Sequence, residues 1–485
     1  MKATSISLPI ATLSLYWPDD LLTPAQDDGL KCWPQTTKMQ KQLLTTALCL
    51  ALLLAALPGS AQPTAEKRAA ELDQLLRQSE VFSKIFTGFV LYDPASGQML
   101  YEKDADKYYT PASNTKILTL YTVLKVLGDS IPALRYIETG DSLIFWGTGN
   151  PLFRHPLLPD ADSSAWALLR DTPRRLFFSA HNFQDERFGP GWAWSDYNDY
   201  YQAEKAPLPI YGNLARFERD ELGEGFRAYP PHFQHHLVFN AAMDNRRPRI
   251  RRAEHANVFA YNHRALSGVP FAAVVPFRTE PAIIAELLSD TLGRPVGLVN
   301  LEDLPPHAVK TLSLPLPDTL LQVLMQDSDN FIAEQLLLAC SEKVAGILAA
   351  EEAIRYASDS LFSSLPDKLV WRDGSGLSRY NLFTPRSLAG ILELLYRELP
   401  RERLLGLFPA GGRSGTIKDL YGHRDGPFVF AKTGTLANRH CLSGYLLTAK
   451  GKLLIFSFMH NNFINGTGPV KEEMDKVLRW VREGY

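Results

Sequence analysis

A serine and a lysine three positions apart carry the first chemical signal in the sequence. Ser113 and Lys116 form the only S-x-x-K in the chain, at the start of an apolar segment that runs to Gly128. On a helix, positions i and i+3 lie one turn apart on one face, so the amine can reach the hydroxyl. Burial disfavours the charged form of a lysine and lowers its pKa. The pair therefore predicts a serine nucleophile with a lysine as its general base.

Two more single-copy motifs follow. Ser328-Asp-Asn330, the only S-x-N, begins an apolar helical segment, and taken alone it is typical of a helix cap. Lys432-Thr-Gly-Thr435 lies in a predicted strand, whose alternation places Lys432 and Gly434 on one face and both threonines on the other. A glycine there lets another backbone approach closely. A second cation near Lys116 would lower the pKa of that lysine further.

The spacing of apolar residues predicts an α+β chain with a large insert. It predicts helices at 65–85, 110–128, 318–340, 343–356 and 470–481, a hairpin at 88–102 and a β meander at 428–459. Between 129 and 304 the chain changes to short strand-like pieces and aromatic, proline-bearing loops. We therefore expect a discontinuous catalytic domain, 62–128 with 305–485, interrupted by a mostly β insert at 129–304.

The N-terminal region predicts export. Residues 43–58 are strongly apolar, Met-Gln-Lys-Gln precedes them at 39–42, and the small residues Gly59 and Ala61 follow. This order is typical of a secretory signal peptide, and the apolar run is shorter than the ~20 residues that span a bilayer. We expect a signal peptide at 39–61, cleavage after Ala61, and a periplasmic protein without a stable transmembrane anchor. Residues 1–38 are expected to be untranslated or disordered.

Composition excludes several classes of protein. The chain has 485 residues, 45% hydrophobic, and a formal net charge of -2, so it has no global affinity for nucleic acid or anionic lipid. Its four cysteines lack C-x-x-C spacing, which excludes a zinc ribbon or a disulfide scaffold. Cys340 and Cys441 remain in the mature chain, and spacing leaves open whether they pair. The histidines at 232–236 lack further ligands at zinc spacing, so we expect neither metal nor cofactor.

The order S-x-x-K, S-D-N, K-T-G resembles that of the penicillin-recognising serine enzymes. Within them the chain resembles the type-4 penicillin-binding proteins, which are serine D-alanyl-D-alanine carboxypeptidases and endopeptidases. Branch-specific features are the long interval between the first two motifs, Gly189-Pro-Gly-Trp192, and the segment from Asp373 to Asn381. The resemblance implies a penicillin-binding or β-lactamase-like fold, in which helices flank an antiparallel sheet. It also implies peptidoglycan stem peptides as substrates and acylation by β-lactam antibiotics.

The resemblance implies a role for each motif residue. The residues implied to be catalytic are Ser113, Lys116, Ser328, Asn330 and Lys432, and those implied to bind substrate are Thr433, Gly434, Thr435, Arg379 and Ser179. Ser113 would be acylated, with Lys116 as its base. Ser328 would pass a proton to the leaving D-alanine, and Asn330 would hold the substrate amide. Lys432 and the motif threonines would hold the terminal carboxylate, and backbone N–H groups would form the oxyanion hole.

One substrate-binding position departs from the family pattern. Members of the family grip the free amino group of diaminopimelate with an aspartate, and Ser179 aligns with that residue. Arg379 matches the family's other side-chain contact. A serine keeps a hydroxyl acceptor but lacks the negative charge. Asp185 or Glu186, a few residues further on, are alternative sources of that charge.

Two other functions are alternatives. A β-lactamase of the same fold is disfavoured, because no E-x-x-x-N-type deacylation motif is evident after Ser328 and the insert is large. A non-catalytic peptidoglycan-binding protein is disfavoured, because a binder has no need of a nucleophile together with its base. The choice between carboxypeptidase and endopeptidase stays open on sequence grounds.

Overall fold

The structure is a computed structural model that describes residues 64–159, 161–220, 225–267, 271–301 and 308–485. The predicted signal peptide and residues 1–38 lie outside the described residues. The helices are α1 (Ala65–Gln78), α2 (Thr115–Val126), α3 (Ser163–Asp171), α4 (His263–Leu266), α5 (Pro281–Leu292), α6 (Asp318–Gln322), α7 (Asn330–Ala345), α8 (Ala350–Tyr356), α9 (Pro385–Glu398), α10 (Arg401–Leu407) and α11 (Gly468–Gly484).

The strands follow the same chain order. They are β1 (Phe86–Asp93), β2 (Gln98–Lys103), β3 (Ser130–Thr139), β4 (Ser142–Gly147), β5 (Arg175–Ser179), β6 (Leu214–Arg219), β7 (Phe226–Tyr229), β8 (Leu237–Phe239), β9 (Ile250–Arg252), β10 (Phe259–Tyr261), β11 (Ala272–Pro276), β12 (Val296–Leu298), β13 (Lys310–Pro315), β14 (Val429–Leu436), β15 (Arg439–Leu447) and β16 (Leu453–Asn461). The predicted hairpin and terminal meander are therefore confirmed.

An antiparallel sheet of order β14-β15-β16-β1-β2 joins the two ends of the described chain. Successive side chains of a strand point to opposite faces, so β1 contributes to two cores. Phe89 and Leu91 pack with α1 and α11 on one face, whereas Val90 packs with α2 and α9 on the other. Helices thus cover this sheet on both faces, which fixes strand β14 against the start of α2.

The continuous helix predicted at 318–340 is wrong. Helix α6 passes into a π-helical turn, Val323–Asp327, and the chain then breaks at Ser328, which has a φ of 61°. Asp329 caps the new helix α7 by accepting a hydrogen bond from the backbone N–H of Ile332 at 2.8 Å. Such a cap stabilises a new helix start, so the apolar periodicity continues across a break that it does not reveal. The break brings Ser328 to the surface of the helical core.

The middle of the chain builds three further sheets. Their strand orders are β12-β5-β4-β3-β13, β11-β6-β7 and β8-β10-β9. Helices α3 and α5 occur between these strands, and β13, which follows position 304, pairs with β3. The division into a discontinuous catalytic domain and a mostly β insert stays a prediction. No helix within the described ranges is both long and apolar enough to cross a membrane.

The two cysteines of the described chain are free thiols. Cys340 lies on α7 and Cys441 on β15, and both are fully buried. The Sγ of Cys441 lies 3.5 Å from the backbone oxygen of Thr110. Burial raises the pKa of the Cys340 thiol and raises that of Cys441 to about 12, so neither is reactive in the folded state.

Candidate active site

Ser113 lies in a tight turn that two glycines enclose. The turn is the 3-10 segment Ala112–Asn114, directly before α2, and Ala112 has a φ of 48°. A Cβ added to Gly434 or to Gly376 would overlap backbone atoms at 111–112, and Gly376 itself has a φ of 85°. Only glycine permits this approach. Strand β14 therefore lies in direct backbone contact with the turn that carries the serine.

Lys116 is fully buried behind this turn. Its Nζ contacts the Oγ of Ser113 at 3.1 Å, the Oδ1 of Asn330 at 2.6 Å and the backbone oxygen of Ser375 at 2.7 Å. Burial lowers its pKa to about 8, although the carboxylate of Glu334 opposes the shift. A neutral amine in this position has its lone pair within reach of the serine proton. The structure therefore brings the predicted nucleophile and base together.

A second lysine–serine pair lies across the site. The buried Nζ of Lys432 donates to the Oγ of Ser328 at 2.8 Å and to the backbone oxygen of Thr433 at 3.0 Å. Burial, and then repulsion from Lys116, hold the pKa of Lys432 well below its usual value. Carboxylates, Glu334 foremost, favour the charged form of Lys116 instead.

Two buried carboxylates position the loop that holds the base. Asp373 accepts hydrogen bonds from the backbone N–H of Ser378 at 2.6 Å and from the Nε1 of Trp192 at 2.8 Å. Glu334, on α7, accepts from the backbone N–H of Ser375 at 2.7 Å, and burial raises its pKa to about 7. Sequence reasoning assigned neither carboxylate a role. The only signal for Glu334 was an acidic residue within an otherwise apolar helix, where buried acids are uncommon.

Strand β14 contributes both the side chains of its motif and the backbone of a sheet edge to the site. Lys432 and Gly434 are buried and Thr435 is exposed, as the alternation predicted. The hydroxyl of Thr433 contacts that of Thr416 at 2.7 Å, and the hydroxyl of Thr435 contacts the Nδ1 of His440 at 2.9 Å. The strand is at a sheet edge, and only its first half pairs with residues 409–411. Its second half can pair with an extended peptide.

A cleft of about 540 Å³ opens in front of Ser113. Asn330 lines it, and the Nδ2 of this residue donates to the backbone oxygen of Tyr201 at 2.8 Å. Arg379 and Asp196 line the cleft as well, so a cation and an anion lie within the same space as the nucleophile. Sequence reasoning missed Asp196, because it ends a short 3-10 helix, Trp194–Asp196, that carries no catalytic motif.

Ser179 lies outside this cleft. Its side chain is 1% exposed at the end of β5, and its Oγ lies 3.1 Å from the Nδ1 of His181. Asp185 is held by Lys205, whose Nζ donates to its Oδ1 at 2.6 Å. Within the part of the chain that the structure describes, Asp196 is the only carboxylate that lines the cleft. The structure thus brings the three motifs and Arg379 together but leaves Ser179 apart.

The fold and site indicate a class of protein, the penicillin-recognising serine enzymes. A serine and two buried lysines lie between a helical core and the edge of an antiparallel sheet. The sequence profile of the D-Ala-D-Ala carboxypeptidase 3 (S13) family matches residues 68–483, and the chain belongs to this family. The predicted membership of the type-4 penicillin-binding proteins is confirmed.

Relatives support the same assignment. The chain is 25% identical over 441 residues to D-alanyl-D-alanine carboxypeptidase DacB of Haemophilus influenzae, covering 82% of this chain and 90% of the relative. The crystal structure of penicillin-binding protein 4 from that organism matches with a TM-score of 0.66 at 20% identity, covering 85% and 98% of the two chains. A complex of that protein with a β-lactam matches with a TM-score of 0.62 at 19% identity, covering 86% and 99%. These matches confirm the predicted fold.

Proposed function

We propose that the protein is an exported serine DD-peptidase that cleaves D-alanyl-D-alanine, or D-alanine cross-links, in peptidoglycan stem peptides. The same serine is acylated by β-lactams. The observation that carries the proposal is the contact of 3.1 Å between Ser113 Oγ and Lys116 Nζ, with a second amine, Lys432, bonded to Ser328 at 2.8 Å. A non-catalytic peptidoglycan-binding protein would need neither pair.

Acylation begins at Ser113. The neutral amine of Lys116 takes the hydroxyl proton, and the Oγ forms a bond to the carbonyl carbon of the penultimate D-alanine. Backbone N–H groups of Ser113 and Thr435 stabilise the oxyanion. The carbon–nitrogen bond breaks as the nitrogen takes a proton from the hydroxyl of Ser328, which regains one from the ammonium of Lys432. An ester and a free amine result, with Lys116 now charged and Lys432 neutral.

Deacylation reverses these proton positions. Water attacks the ester carbonyl, and its proton passes through Ser328 to the neutral amine of Lys432. The ester bond breaks, and the Oγ of Ser113 takes back its proton from Lys116. A carboxylic acid is released, and both lysines return to their starting states. Each lysine therefore acts once as donor and once as acceptor in a full cycle.

The substrate carboxylate sets the starting state of this cycle. In the free protein burial lowers the pKa of both lysines, and repulsion from Lys116 lowers that of Lys432 further. A carboxylate bound at Thr433 and Thr435 adds a negative charge beside Lys432 and raises the pKa of that lysine. The resulting ammonium repels a charge on Lys116 and lowers the pKa of the base. Substrate binding thus favours an ammonium at Lys432 and a neutral amine at Lys116, which is the state that acylation needs.

Asp196 is our candidate for recognition of the stem peptide's free amine. It lines the cleft together with Arg379, whereas Ser179 is buried beside His181. A carboxylate on an ammonium group forms a charge-assisted contact that contributes ~1.5 to 3 kcal/mol. This replaces the assignment of Ser179 on alignment grounds. The absence of charge at Ser179 therefore need not weaken discrimination between free and acylated amines.

Export follows from the predicted signal peptide at 39–61, and a peptidoglycan substrate places the enzyme in the periplasm. N-terminal sequencing of protein exported by a bacterium should give Gln62 as the first residue. Retention of residues 1–38 would contradict both the expectation that they are untranslated and the export proposal.

The proposed activity has a direct test. Purified protein is incubated with a penicillin, digested and mapped, and in parallel is given purified muropeptides whose products are weighed by mass spectrometry. We expect a covalent adduct on Ser113 and release of D-alanine or of uncross-linked stem peptides. An adduct on another residue, or folded protein that forms none, would overturn the assignment. Lys116→Ala should abolish the adduct.

A further inference from the structure

A row of polar side chains crosses the main sheet from the edge that borders the cleft. Thr435 on β14 lies opposite His440 on β15, and His440 lies opposite His460 on β16. His460 in turn lies opposite Thr87 on β1. Residues directly opposite each other on neighbouring strands share a face of the sheet, so the four side chains form one line. We refer to them as the Thr–His row, in which Thr435 is the residue that lines the cleft with Ser113.

Both histidines of the Thr–His row are buried and neutral. His440 is 1% exposed and His460 is fully buried, with the ring of Phe82 stacked on that of His460 at 4.9 Å. Burial, and then repulsion from Lys471, lower the pKa of His440 to about 3. Burial, and then repulsion from His440, hold the pKa of His460 well below its usual value. At neutral pH each imidazole therefore carries a single ring proton.

The surroundings of the His440 ring favour one position for its proton. Its Nδ1 lies 2.9 Å from the hydroxyl oxygen of Thr435, whereas its Nε2 is buried and has no hydrogen-bond partner among the described residues. In protein interiors an N–H without an acceptor is rarer than an acceptor with an unused lone pair. The Nδ1–H tautomer is favoured, because an Nε2–H would be left unpaired in the core.

The tautomer of His440 determines what Thr435 can offer a ligand. A threonine hydroxyl has one proton to donate and lone pairs to accept with. When the Nδ1–H of His440 donates to the hydroxyl oxygen, the hydroxyl proton is free to point into the cleft. With the proton on Nε2 instead, the hydroxyl would donate to the ring and present only an acceptor, which repels a carboxylate.

We propose that His440 is a positioning residue that commits the hydroxyl of Thr435 to donate to the terminal carboxylate of the substrate. This inference rests on the proposed function. His440 acts through Thr435, because it is buried behind the strand that borders the cleft. A hydroxyl that accepts one hydrogen bond is polarised and donates a stronger one. The ring proton stays on His440 throughout the reaction.

The first test is stopped-flow acylation of the full-length mature protein by a penicillin, which also carries a carboxylate. It separates the Kd of the initial complex from the first-order rate constant of acylation. His440→Leu should raise the Kd about threefold to tenfold, which is the contribution of one neutral hydrogen bond, and change the rate constant less than about twofold. A lower Kd would mean that the ring had drawn the hydroxyl proton away from the cleft, and it would overturn the inference.

Two further variants separate positioning from packing. His440→Asn places an amide N–H near the former Nδ1 and should return the Kd to within about twofold of the parent value. In a Thr435→Val background, which lacks the hydroxyl, His440→Leu should have no additional effect on the Kd. Equal losses in the leucine and asparagine variants, or an additional loss in the valine background, would overturn the inference.

His460→Leu is the matched control. His460 is as buried as His440 and belongs to the same row, but its Nδ1 contacts the hydroxyl of Thr87 at 3.0 Å. The control should leave the Kd within about twofold of the parent value, whatever its melting temperature. A loss equal to that of His440→Leu would mean that the row acts only through packing, and it would overturn the inference.

The second test needs no substrate and does not depend on how well a variant folds. Nuclear magnetic resonance of the parent protein labelled with ¹⁵N-histidine distinguishes the two neutral tautomers, and the spectrum of His440→Asn identifies the signal of His440. We expect a proton on Nδ1. A parent that is not acylated at Ser113 would overturn the proposed function, and the carboxylate assignment with it. A parent that is acylated, but whose His440 carries its proton on Nε2, would isolate failure of the inference alone.

Discussion

The pKa of Lys116 predicts a steep pH dependence of acylation. With a pKa of about 8, about 9% of this amine is neutral at pH 7 and about 91% at pH 9. The group is active when deprotonated, so the second-order rate constant for acylation by a penicillin should rise about tenfold between these pH values. Because Glu334 ionises near pH 7, the observed midpoint belongs to the coupled groups.

The bound state should titrate differently from the free protein. A unit charge ~5 Å away at an effective dielectric constant of about 20 contributes about 3 kcal/mol, or about 2 pKa units. The penicillin carboxylate should favour the ammonium of Lys432, which in turn should lower the pKa of Lys116. The first-order rate constant at saturation should therefore reach its plateau at a lower pH than the second-order constant.

Stopped-flow acylation with a fluorescent penicillin, from pH 6 to 10, measures both constants. Lys125→Ala, which changes an exposed lysine on the same helix, is the matched control and should reproduce the parent profile. A second-order constant that is flat or falls between pH 7 and 9 would refute the base role of Lys116. Identical midpoints for the two constants would refute the proposed effect of the bound carboxylate on the pKa values of the two lysines.

Three other changes have defined outcomes. Gly434→Ala should lose β-lactam labelling and melt several degrees lower, because a Cβ would overlap the backbone before Ser113. A thermal melt and gel labelling measure the two effects. A variant that is labelled and as stable as the parent would contradict the close backbone contact. Asp196→Asn should lower kcat/KM for a free-amine stem peptide at least tenfold, and kcat/KM for its N-acylated analogue less than twofold. Steady-state kinetics measures both, and equal losses would exclude a contact between Asp196 and the substrate ammonium. Lys116→Met should be inactive yet melt no lower than the parent, because the substitution removes a buried cation. Calorimetry measures the melting temperature, and a decrease of more than about 5 °C would contradict this prediction.

The parts of the site that sequence predicted are those with short-range spacing. Ser113 and Lys116 lie one helical turn apart, and the faces of β14 follow from alternation, so local geometry alone fixed these relations. The order of the motifs, through the family resemblance, then indicated that they meet.

The residues that sequence did not predict depend on long-range contacts. The carbonyl of Ser375 reaches Lys116 because Glu334, on another element, and Asp373 hold its loop. Asp196 reaches the cleft at the end of a short 3-10 helix, a position that neither periodicity nor a motif indicates. The break at Ser328 was hidden because apolar residues continue on both sides of it. Periodicity reports which face is buried, but it does not report where the chain turns.

The two buried thiols allow local unfolding of the chain to be measured. Cys441 lies against Thr110, next to the nucleophile's turn, whereas Cys340 lies in the helical core. A thiol reagent reaches each sulfur only when the surrounding packing opens, so labelling rates measure local unfolding at two separate places without any engineered probe. A covalently bound β-lactam that tightens the serine turn against β14 should slow the labelling of Cys441 and leave that of Cys340 unchanged.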